Sequence, residues 1–398
     1  MGRKENKLEI SGQFLQCPLL LSIDTYEGCT NQCRYCFANP QYDRQNRGKN
    51  RRTCIRPALI TRWERALNGE ETRNPMIQYL VNKKHPIQLG TKAEPFPIDV
   101  EPELKNTRRF LELCNRAQYP VYICTKNTGE LPLDLLAQGK YVLGVSLASH
   151  REGDIRLLEE NTSTPSLRLA PLRRIPAGVF KKIIVKWQPF IPQLFRPRPG
   201  VDELIDRSQI DAYLDEIARI AHAVSVSFLT RTILKDPSLL DDIGPEDLSE
   251  LDEVEILSYI REQAHARGLE FYTANYRALS DSPVCCGLRG DEFPMSAQWV
   301  WSYLIWKLFT RQQEYLTRED VIAAFPDELK HIMFSTVNVA LFSRWARYIA
   351  KKTTILEEYI KNFTLDRRMN PANFFAGLYS QVVDGEFRIY FMDYREMV

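Results

Sequence analysis

The sequence lacks an apolar segment at its start, and it has no apolar run long enough to cross a bilayer. The opening residues, "MGRKENKLEI", contain no hydrophobic region of a secretory signal. The longest apolar stretch, "WVWSYLIWKLF" from Trp299, is shorter than the roughly 20 residues of a spanning helix, and we interpret it as a buried helix. We therefore expect a cytoplasmic protein with no membrane partner. In that compartment the nine cysteines are expected to be thiols or metal ligands, because disulfides are rare there.

Internal repeats, low-complexity tracts and a strong net charge are also missing. The 398 residues carry a formal net charge of +2, with 44% hydrophobic and 26% charged residues, which excludes a disordered chain. This length suits two domains, or one barrel with an appendage. The small net charge conceals a basic run at residues 43–57, "DRQNRGKNRRTCIRP". Such a run is either solvated surface or a contact with nucleic acid.

Six short apolar segments alternate with helical patterns over the first two thirds of the chain. The alternation predicts right-handed βαβ units and a parallel sheet. We expect an α/β fold, a partial (β/α)6 barrel with its site at the carboxyl ends of the strands. The predicted strands span residues 17–24, 85–91, 119–125, 141–149, 180–191 and 223–230, and predicted helices follow at 101–117, 131–139, 165–178 and 208–222.

From about Asp236 the pattern becomes mainly helical. A helix is predicted to start at Pro245, because an acidic pair follows this proline. The chain then ends in a predicted hairpin that turns at Asp384 and Gly385. We place a boundary near residue 277, which predicts a barrel domain at 1–277 and a mainly helical C-terminal extension at 278–398.

Three cysteines lie within eight residues of the segment "EGCTNQCRYCFAN". Cys29, Cys33 and Cys36 have the spacing C-x3-C-x2-C. A structural zinc site needs four ligands, commonly two cysteine pairs or a cysteine pair with histidines, and the nearest histidine, His85, opens a distant strand. Inert thiols explain three neighbouring cysteines on a polar loop poorly. The spacing therefore favours an iron–sulfur cluster over zinc and over inert thiols.

The cysteine spacing, its place after the first strand and the aromatic Tyr35 before the third cysteine resemble the radical S-adenosylmethionine superfamily. The resemblance implies that Cys29, Cys33 and Cys36 bind three irons of a [4Fe–4S] cluster and leave the fourth open. S-adenosylmethionine would bind that iron through its amino and carboxyl groups, receive an electron and split to a 5′-deoxyadenosyl radical. The implied cofactors are the cluster and S-adenosylmethionine.

Over about residues 17–230 the chain is similar to the spore photoproduct lyase-like branch of that superfamily. The motifs in order are "GCTNQCRYCFAN", "LGTKAEPFPIDVEPELKNTRRFLEL", "ICTKNTGELPLDLL", "VSLAS" and "ENTSTPSLRLAPLRRI". The resemblance implies an enzyme that abstracts hydrogen from a nucleic-acid base, with DNA or a modified nucleotide as partner and an external electron donor of the flavodoxin or ferredoxin type. The positions that match the cofactor pocket are Tyr35, Thr91, Glu94, Lys126, Ser146, Glu160 and Arg168.

The sequence departs from the lyases at two positions. Gly90 stands where they carry a hydrogen-donating cysteine, and Phe37 stands where a tyrosine follows their last cluster cysteine. Strict lesion reversal is therefore disfavoured, and modification or rearrangement of a DNA base fits better. Cys285 and Cys286 are candidates for a replacement hydrogen donor or an auxiliary ligand, and the alternative is that they are structural.

Two other functions are compatible with the sequence. The same barrel also suits a radical enzyme that acts on a small molecule or a peptide, because one fold supports many chemistries. A protein of a different class, a nucleic-acid-binding module stabilised by a structural metal, would also combine cysteines with a basic run.

Overall fold

The structure is a computed structural model. It describes residues 8–10, 19, 21–38, 54–55, 57–70, 75–197, 203–231, 234, 236–244, 248–273, 276, 279–282, 286–288, 315–317 and 378–391. The chain divides into two compact units. The first comprises residues 1–6, 23–61 and 88–272, and the second comprises residues 7–22, 62–87 and 273–398.

The described strands form three sheets. They are β1 (Glu9–Ile10), β2 (Leu21–Ile23), β3 (Tyr26–Glu27), β4 (Cys54–Ile55), β5 (Ile87–Leu89), β6 (Pro120–Thr125), β7 (Lys140–Ser146), β8 (Lys182–Phe190), β9 (Ala223–Phe228), β10 (Glu270–Thr273), β11 (Tyr315–Thr317), β12 (Leu378–Val383) and β13 (Glu386–Phe391). The largest sheet has eight strands in the order β1-β2-β5-β6-β7-β8-β9-β10.

The six strands predicted from the sequence are β2 and β5 to β9, and in the sheet each lies beside its neighbours along the chain. The pairs β6/β7, β7/β8 and β8/β9 are parallel. Parallel strands in chain order, with helices between them, are what repeated βαβ units produce. The prediction of an α/β fold with a parallel sheet is confirmed. A further strand, β10, was not predicted.

The described helices lie mostly between the strands of this sheet. They are α1 (Pro57–Leu67), α2 (Pro75–Asn82), α3 (Glu101–Leu104), α4 (Asn106–Arg116), α5 (Leu133–Leu136), α6 (Glu152–Leu158), α7 (Pro165–Leu169), α8 (Arg207–Ala218), α9 (Leu239–Ile243) and α10 (Glu250–Ala266).

The core forms where helices cover the parallel sheet. Trp187 of β8 is fully buried, and its ring stacks on Tyr213 of α8 with ring centroids 3.8 Å apart. The Tyr213 hydroxyl donates to the carbonyl of Leu147 at 2.7 Å, so its polar end is satisfied inside the core. Full burial of two such aromatic side chains contributes several kcal/mol, on the order of 2–3 each.

The helix predicted at 101–117 is broken into two at Lys105. Lys105 has a φ of 52°, in the left-handed region, so the backbone turns between α3 and α4. The buried carboxylate of Glu101 then accepts hydrogen bonds from the backbone amides of Thr107 at 3.1 Å and Arg108 at 2.9 Å. Glu101 thereby caps the second helix, because the first amides of a helix have no partner within it.

The helix predicted at 165–178 ends much earlier. Thr164 caps α7 by accepting from the Leu167 amide, and α7 ends at Leu169, before Pro171. A 3₁₀ turn follows at Leu172–Arg174. Proline lacks the amide that a helix interior needs, which explains the early end. The helix predicted from Pro245 begins at Glu250, where Ser249 and Asp252 form a capping box. Helix α6 was not predicted.

The predicted hairpin at Asp384 and Gly385 is confirmed. Its strands, β12 and β13, pair antiparallel from Leu378 opposite Phe391 to Val383 opposite Glu386. The helical patterns predicted for the C-terminal extension lie outside the described residues, and the boundary near residue 277 stays a prediction. In the part of the chain that the structure describes, no helix has the length and apolar character needed to cross a membrane.

Candidate metal and cofactor site

The cysteine loop, residues 27–38, follows β2 and β3 in the first compact unit. Its shape depends on two residues with positive φ, Gly28 at 81° and Gln32 at 50°. The amide of Cys36 donates to the carbonyl of Cys33 at 3.2 Å, which closes a tight turn between the second and third cysteines. The loop therefore folds back on itself and brings three thiols into one short segment.

Main-chain hydrogen bonds fix this loop to the segment that ends α6. The Arg34 amide donates to the carbonyl of Leu158 at 2.9 Å, and the Asn161 amide donates to the carbonyl of Asn31 at 3.2 Å. An isolated antiparallel bridge joins Cys33 to Glu159. The positions of the thiols are thus determined by backbone contacts as well as by the loop itself.

The three thiols differ in burial. Cys33 is buried, with 8% of its surface exposed, and Cys29 and Cys36 are half-buried. Burial raises the pKa of Cys29 to about 11 and raises the pKa of Cys33 as well, whereas the nearby charge of Lys126 lowers the pKa of Cys33. Thiolates at these positions need positive charge beside them, such as bound metal.

No three His, Cys, Asp or Glu side chains among the described residues converge on a point where one metal ion would sit. A tetrahedral zinc ion requires such convergence. A [4Fe–4S] cluster does not, because each thiolate binds a different iron and the sulfur atoms stand apart around the cluster. Three cysteines and no histidine on one loop are the donor set of a cluster with one open iron, whereas a structural zinc ion takes four protein ligands.

A buried carboxylate, Glu159, lies beside the loop and pairs with two cationic side chains. The Arg168 Nη2 atom lies 2.9 Å from Glu159 Oε2, and the Lys126 Nζ atom lies 3.6 Å from Oε1. The hydroxyl of Tyr35 donates to Glu159 as well, and Lys126 lies 5.5 Å from the centre of the Tyr35 ring. Burial alone would raise the pKa of Glu159, but the charges of Lys126 and Arg168 outweigh it and hold that pKa at about 2.

Arg168 connects this cluster to the end of β7. Its side chain has no exposed surface. Its Nη1 atom donates to the carbonyl of Ser146 at 2.7 Å, and Nη2 also donates to the carbonyl of Ser163 at 2.8 Å. The burial that would lower the pKa of Arg168 is outweighed by Glu159, so that the pKa is raised and the guanidinium stays charged.

A second buried carboxylate, Asp24, shapes the turn after β5. Its oxygens accept from the Thr91 amide at 2.7 Å, the Thr91 hydroxyl at 2.8 Å, and the amides of Lys92 and Ala93 at 3.1 and 3.3 Å. Burial nevertheless raises the pKa of Asp24 above its ordinary value. Asp24 therefore places Thr91, which is half-buried, at the carboxyl end of the sheet.

Glu94 links the same turn to the cysteine loop and to β6. Its carboxylate accepts from the Thr125 hydroxyl, from the Lys126 amide at 3.0 Å and from the Asn31 side chain at 3.4 Å. Glu94 is only 6% exposed, and burial raises its pKa although these hydrogen bonds oppose the shift. The Glu94 carboxylate therefore connects the turn after β5, the end of β6 and the cysteine loop by hydrogen bonds.

Gly90 lies where a side chain cannot be added without moving the backbone. Its φ is 83°, and a Cβ atom built there would lie 2.9 Å from Pro95 Cδ and would overlap the Cys124 carbonyl oxygen. The cysteine that the lyases carry at this position therefore does not fit this backbone.

We expect Gly90→Ala to lower the free energy of unfolding by about 2–5 kcal/mol, through the left-handed backbone and the overlap together. Gly69→Ala is the matched control, because Gly69 has the same φ of 83° but nothing within 4 Å of its added Cβ. The control should lose only about 1–2 kcal/mol in urea unfolding. Equal losses in the two variants would contradict the overlap.

The structure brings together some predicted site residues and separates others. Tyr35, Lys126 and Arg168 meet at Glu159, and Ser146 joins them through its carbonyl. Thr91 and Glu94 lie in the neighbouring network of Asp24 and Asn31. Glu160 is exposed, and the carboxylate that pairs with Lys126 and Arg168 is that of its neighbour Glu159.

The remaining candidates lie elsewhere. Cys286 is buried, with 4% of its surface exposed, whereas Cys285 lies outside the described residues, as does most of the basic run at 43–57. Their roles stay predictions. Phe37, at the lyases' tyrosine position, is 49% exposed.

Asp24, Asn31 and Glu159 were missed in the sequence. Asp24 is the last residue of a predicted strand, and a polar residue at the carboxyl end of a parallel strand is a signal for a site. Asn31 lies between the cysteines themselves. Nothing in the sequence separates Glu159 from Glu160.

The chain was compared with known proteins. No protein-family model matches it. Uncharacterized proteins of Mycobacterium tuberculosis strains H37Rv and CDC 1551, and of Mycobacterium bovis, are each 29% identical to it over 198 residues, which are 47% of this chain and 54% of the relative. The chain thus spans about half the length of the curated relatives it matches.

Solved structures with a partial likeness include Streptococcus suis SuiB bound to its precursor peptide SuiA, with a TM-score of 0.41, 15% identity, and coverage of 66% of this chain and 50% of that one. SuiB bound to S-adenosylmethionine gives a TM-score of 0.40 at 13% identity, over 63% and 46%. Methylornithine synthase (PylB) gives 0.38 at 13% identity, over 76% and 85%. At these scores the likenesses carry no argument about what this chain binds.

Proposed function

We propose that this chain is a radical S-adenosylmethionine enzyme whose [4Fe–4S] cluster is bound by Cys29, Cys33 and Cys36. The cluster supplies the electron that splits S-adenosylmethionine into methionine and a 5′-deoxyadenosyl radical. The observation that carries the proposal is the backbone-fixed loop of three thiols at the carboxyl end of a parallel sheet, the place where βα barrels hold their sites.

The residues around the loop fit a cluster held by thiolates. Lys126 lies close enough to the loop for its charge to lower the pKa of Cys33, and therefore to stabilise sulfur in its anionic form. Glu159 and Tyr35 hold the Lys126 side chain in place. Tyr35 thus contacts Lys126 through its ring, in addition to preceding the third cysteine.

The binding of S-adenosylmethionine is assigned to the two networks beside the loop. Thr91 follows the turn that Asp24 organises, where the resemblance places the methionyl group. Glu94 lies in the turn after β5 and accepts from the Lys126 amide after β6, Ser146 is the last residue of β7, and Arg168 contacts the Ser146 carbonyl. In place of Glu160, we assign the acidic role to Glu159, because Glu159 makes the contacts with Lys126 and Arg168.

The substrate that we propose is a nucleic-acid base, and the reaction is its modification or rearrangement. The support is the ordered set of motifs shared with the spore photoproduct lyase-like branch, together with the basic run at 43–57. The missing donor at Gly90, where the backbone leaves no room for a cysteine, favours rearrangement over lesion reversal. An external electron donor of the flavodoxin or ferredoxin type would reduce the cluster.

Anaerobic reconstitution with iron and sulfide tests the proposal. A chain that binds a cluster should gain a broad visible absorption band, which arises from sulfur-to-iron charge transfer. It should also release 5′-deoxyadenosine from S-adenosylmethionine when dithionite is added. A nucleic-acid-binding module with a structural zinc would do neither. Product analysis of whole nucleosides after incubation with DNA, set beside small-molecule and peptide mixtures, then identifies the substrate class.

The basic run gives a separate test of DNA as partner. Neutralising Arg47, Lys49, Arg51 and Arg52 together should weaken DNA binding, because each cationic contact with a phosphate releases counterions. The slope of log affinity against log salt should flatten by about 0.9 per lost contact, measured by fluorescence anisotropy on duplex DNA. An unchanged affinity and slope would assign these residues to ordinary solvated surface.

A further inference from the structure

The sheet has one face covered by helix α8 and an opposite face, here called the inner face. Trp187 points to the covered side, since it stacks on Tyr213. Side chains alternate along a strand, so Lys182, Lys186 and Gln188 of β8 point to the inner face. Lys186 and Gln188 are half-buried, whereas the residues between and beside them are buried.

Register across the sheet surrounds Lys186 with polar groups. Lys186 is paired with Ser146 of β7 and with Ser225 of β9, and neighbours in register share a face. The Gln188 amide donates to the Ser225 hydroxyl at 2.8 Å. A core strand of a parallel sheet normally presents aliphatic side chains, so this polar row is unusual for packing alone.

Gly144 of β7 leaves room for the Tyr122 hydroxyl and the Cys124 thiol. Gly144 is on the same face, and a Cβ atom there would lie 2.8 Å from the Tyr122 hydroxyl and 3.3 Å from Cys124 Sγ. Lys186 Nζ lies 3.9 Å from Cys124 Sγ, two strands away. The Gln88 side-chain amide lies 3.7 Å from the same sulfur. Donor groups from β5 and β8 therefore meet on the inner face.

The two lysines of this face differ in their position along β8. Lys182 stands at the start of β8, where its Nζ lies 2.7 Å from Glu270 Oε2 and 2.8 Å from the Tyr272 hydroxyl. That ion pair explains Lys182 as a structural group. Lys186 is four residues nearer the carboxyl end of the strand, which is the end that carries the cysteine loop.

A chain of contacts joins Lys186 to that loop. Its register neighbour Ser146 accepts a hydrogen bond from Arg168, Arg168 is paired with Glu159, and Glu159 bridges Cys33 through the main chain. Lys186 on the inner face is thus connected to the cysteine loop through Ser146, Arg168 and Glu159.

We propose that Lys186 binds an oxyanion, a phosphate or a carboxylate, carried by the substrate. An ammonium group is a compact point charge that suits either anion, and the Gln88 and Gln188 amides lie on the same face as further donors. The inference rests on the proposed function for the identity of the site, and it adds that the substrate enters this site with a negative group directed at β8.

The test is calorimetric titration of the reconstituted 398-residue chain with three probes that share one nucleoside and differ at the 5′ position. These are thymidine, thymidine 5′-monophosphate and thymidine 5′-carboxylic acid. We expect one or both anionic probes to bind more tightly than thymidine, and Lys186→Gln to weaken that binding at least about tenfold while leaving thymidine unaffected. The anion with the larger loss identifies the source of the oxyanion. Lys186→Arg should retain most of the affinity, because it retains the charge.

Lys181→Gln is the matched control, because it removes an exposed lysine just before the same strand. Its affinities should equal those of the unaltered chain. The proposal is overturned if Lys186→Gln binds the anionic probes as the unaltered chain does, if no anionic probe is preferred, or if S-adenosylmethionine binding falls by the same factor, which would assign Lys186 to the cofactor. The chain that fails to take up a cluster can still bind the anionic probes more tightly than thymidine. That result supports the oxyanion site and rejects only the proposed function.

Discussion

Replacement of Cys29, Cys33 or Cys36 by alanine is expected to reduce the release of 5′-deoxyadenosine to background. Three thiolates are the minimum that hold three irons and leave the fourth for S-adenosylmethionine, so the loss of one removes the cluster or changes its ligation. The measurement is chromatography of the products formed under dithionite, after anaerobic reconstitution. Thermal unfolding should change little, because Cys29 and Cys36 are only half-buried and the loop is held by main-chain bonds.

Cys114→Ala is the matched control for these variants. Cys114 lies in α4 with no exposed surface and belongs to neither network of the site. It should lower thermal stability by an amount typical of a small cavity and leave the release of 5′-deoxyadenosine unchanged. Product formation by the triple alanine variant at the rate of the unaltered chain would falsify the cluster assignment.

Glu159→Gln is expected to lower the free energy of unfolding by about 3–5 kcal/mol, because it leaves the charges of Arg168 and Lys126 uncompensated inside the protein. Both side chains of the Arg168–Glu159 pair have no exposed surface, so water cannot replace the lost partner. Urea unfolding monitored by circular dichroism measures the loss.

Glu160→Gln is the adjacent control. Glu160 is exposed, and its substitution should change the stability by less than about 0.5 kcal/mol. Similar losses in the two variants would mean that the cations do not depend on Glu159, and a larger loss in Glu160→Gln would restore the residue that the sequence favoured.

The six predicted strands were predictable because each is a short apolar run, and the period of such a run is a local property. The break at Lys105 was not predictable in this way. The segment has helical residues throughout, and it turns because the Glu101 carboxylate satisfies the first amides of the next helix. This contact forms only in the folded chain, and the helix propensities of the residues do not predict it.

The candidate site was predictable to the extent that its chemistry is local. The cysteine triple is contained in one short segment, and its spacing alone favoured a cluster. The choice between Glu159 and Glu160 depends on a main-chain bridge to Cys33, and Asp24 is bound to amides 67 to 69 positions further along. Pairings at such separation arise from strand order and register, which neighbouring residues do not encode.

The bonds from the cysteine loop to residues 158–161 have a consequence for maturation. Small metal sites often become ordered only when the metal binds, so that part of the binding energy is spent on folding. Here the bonds to residues 158–161 hold the loop backbone, whose ordering costs about 1–2 kcal/mol per residue. For the proposed cluster we therefore expect that iron removed by a chelator can be returned without refolding of the chain.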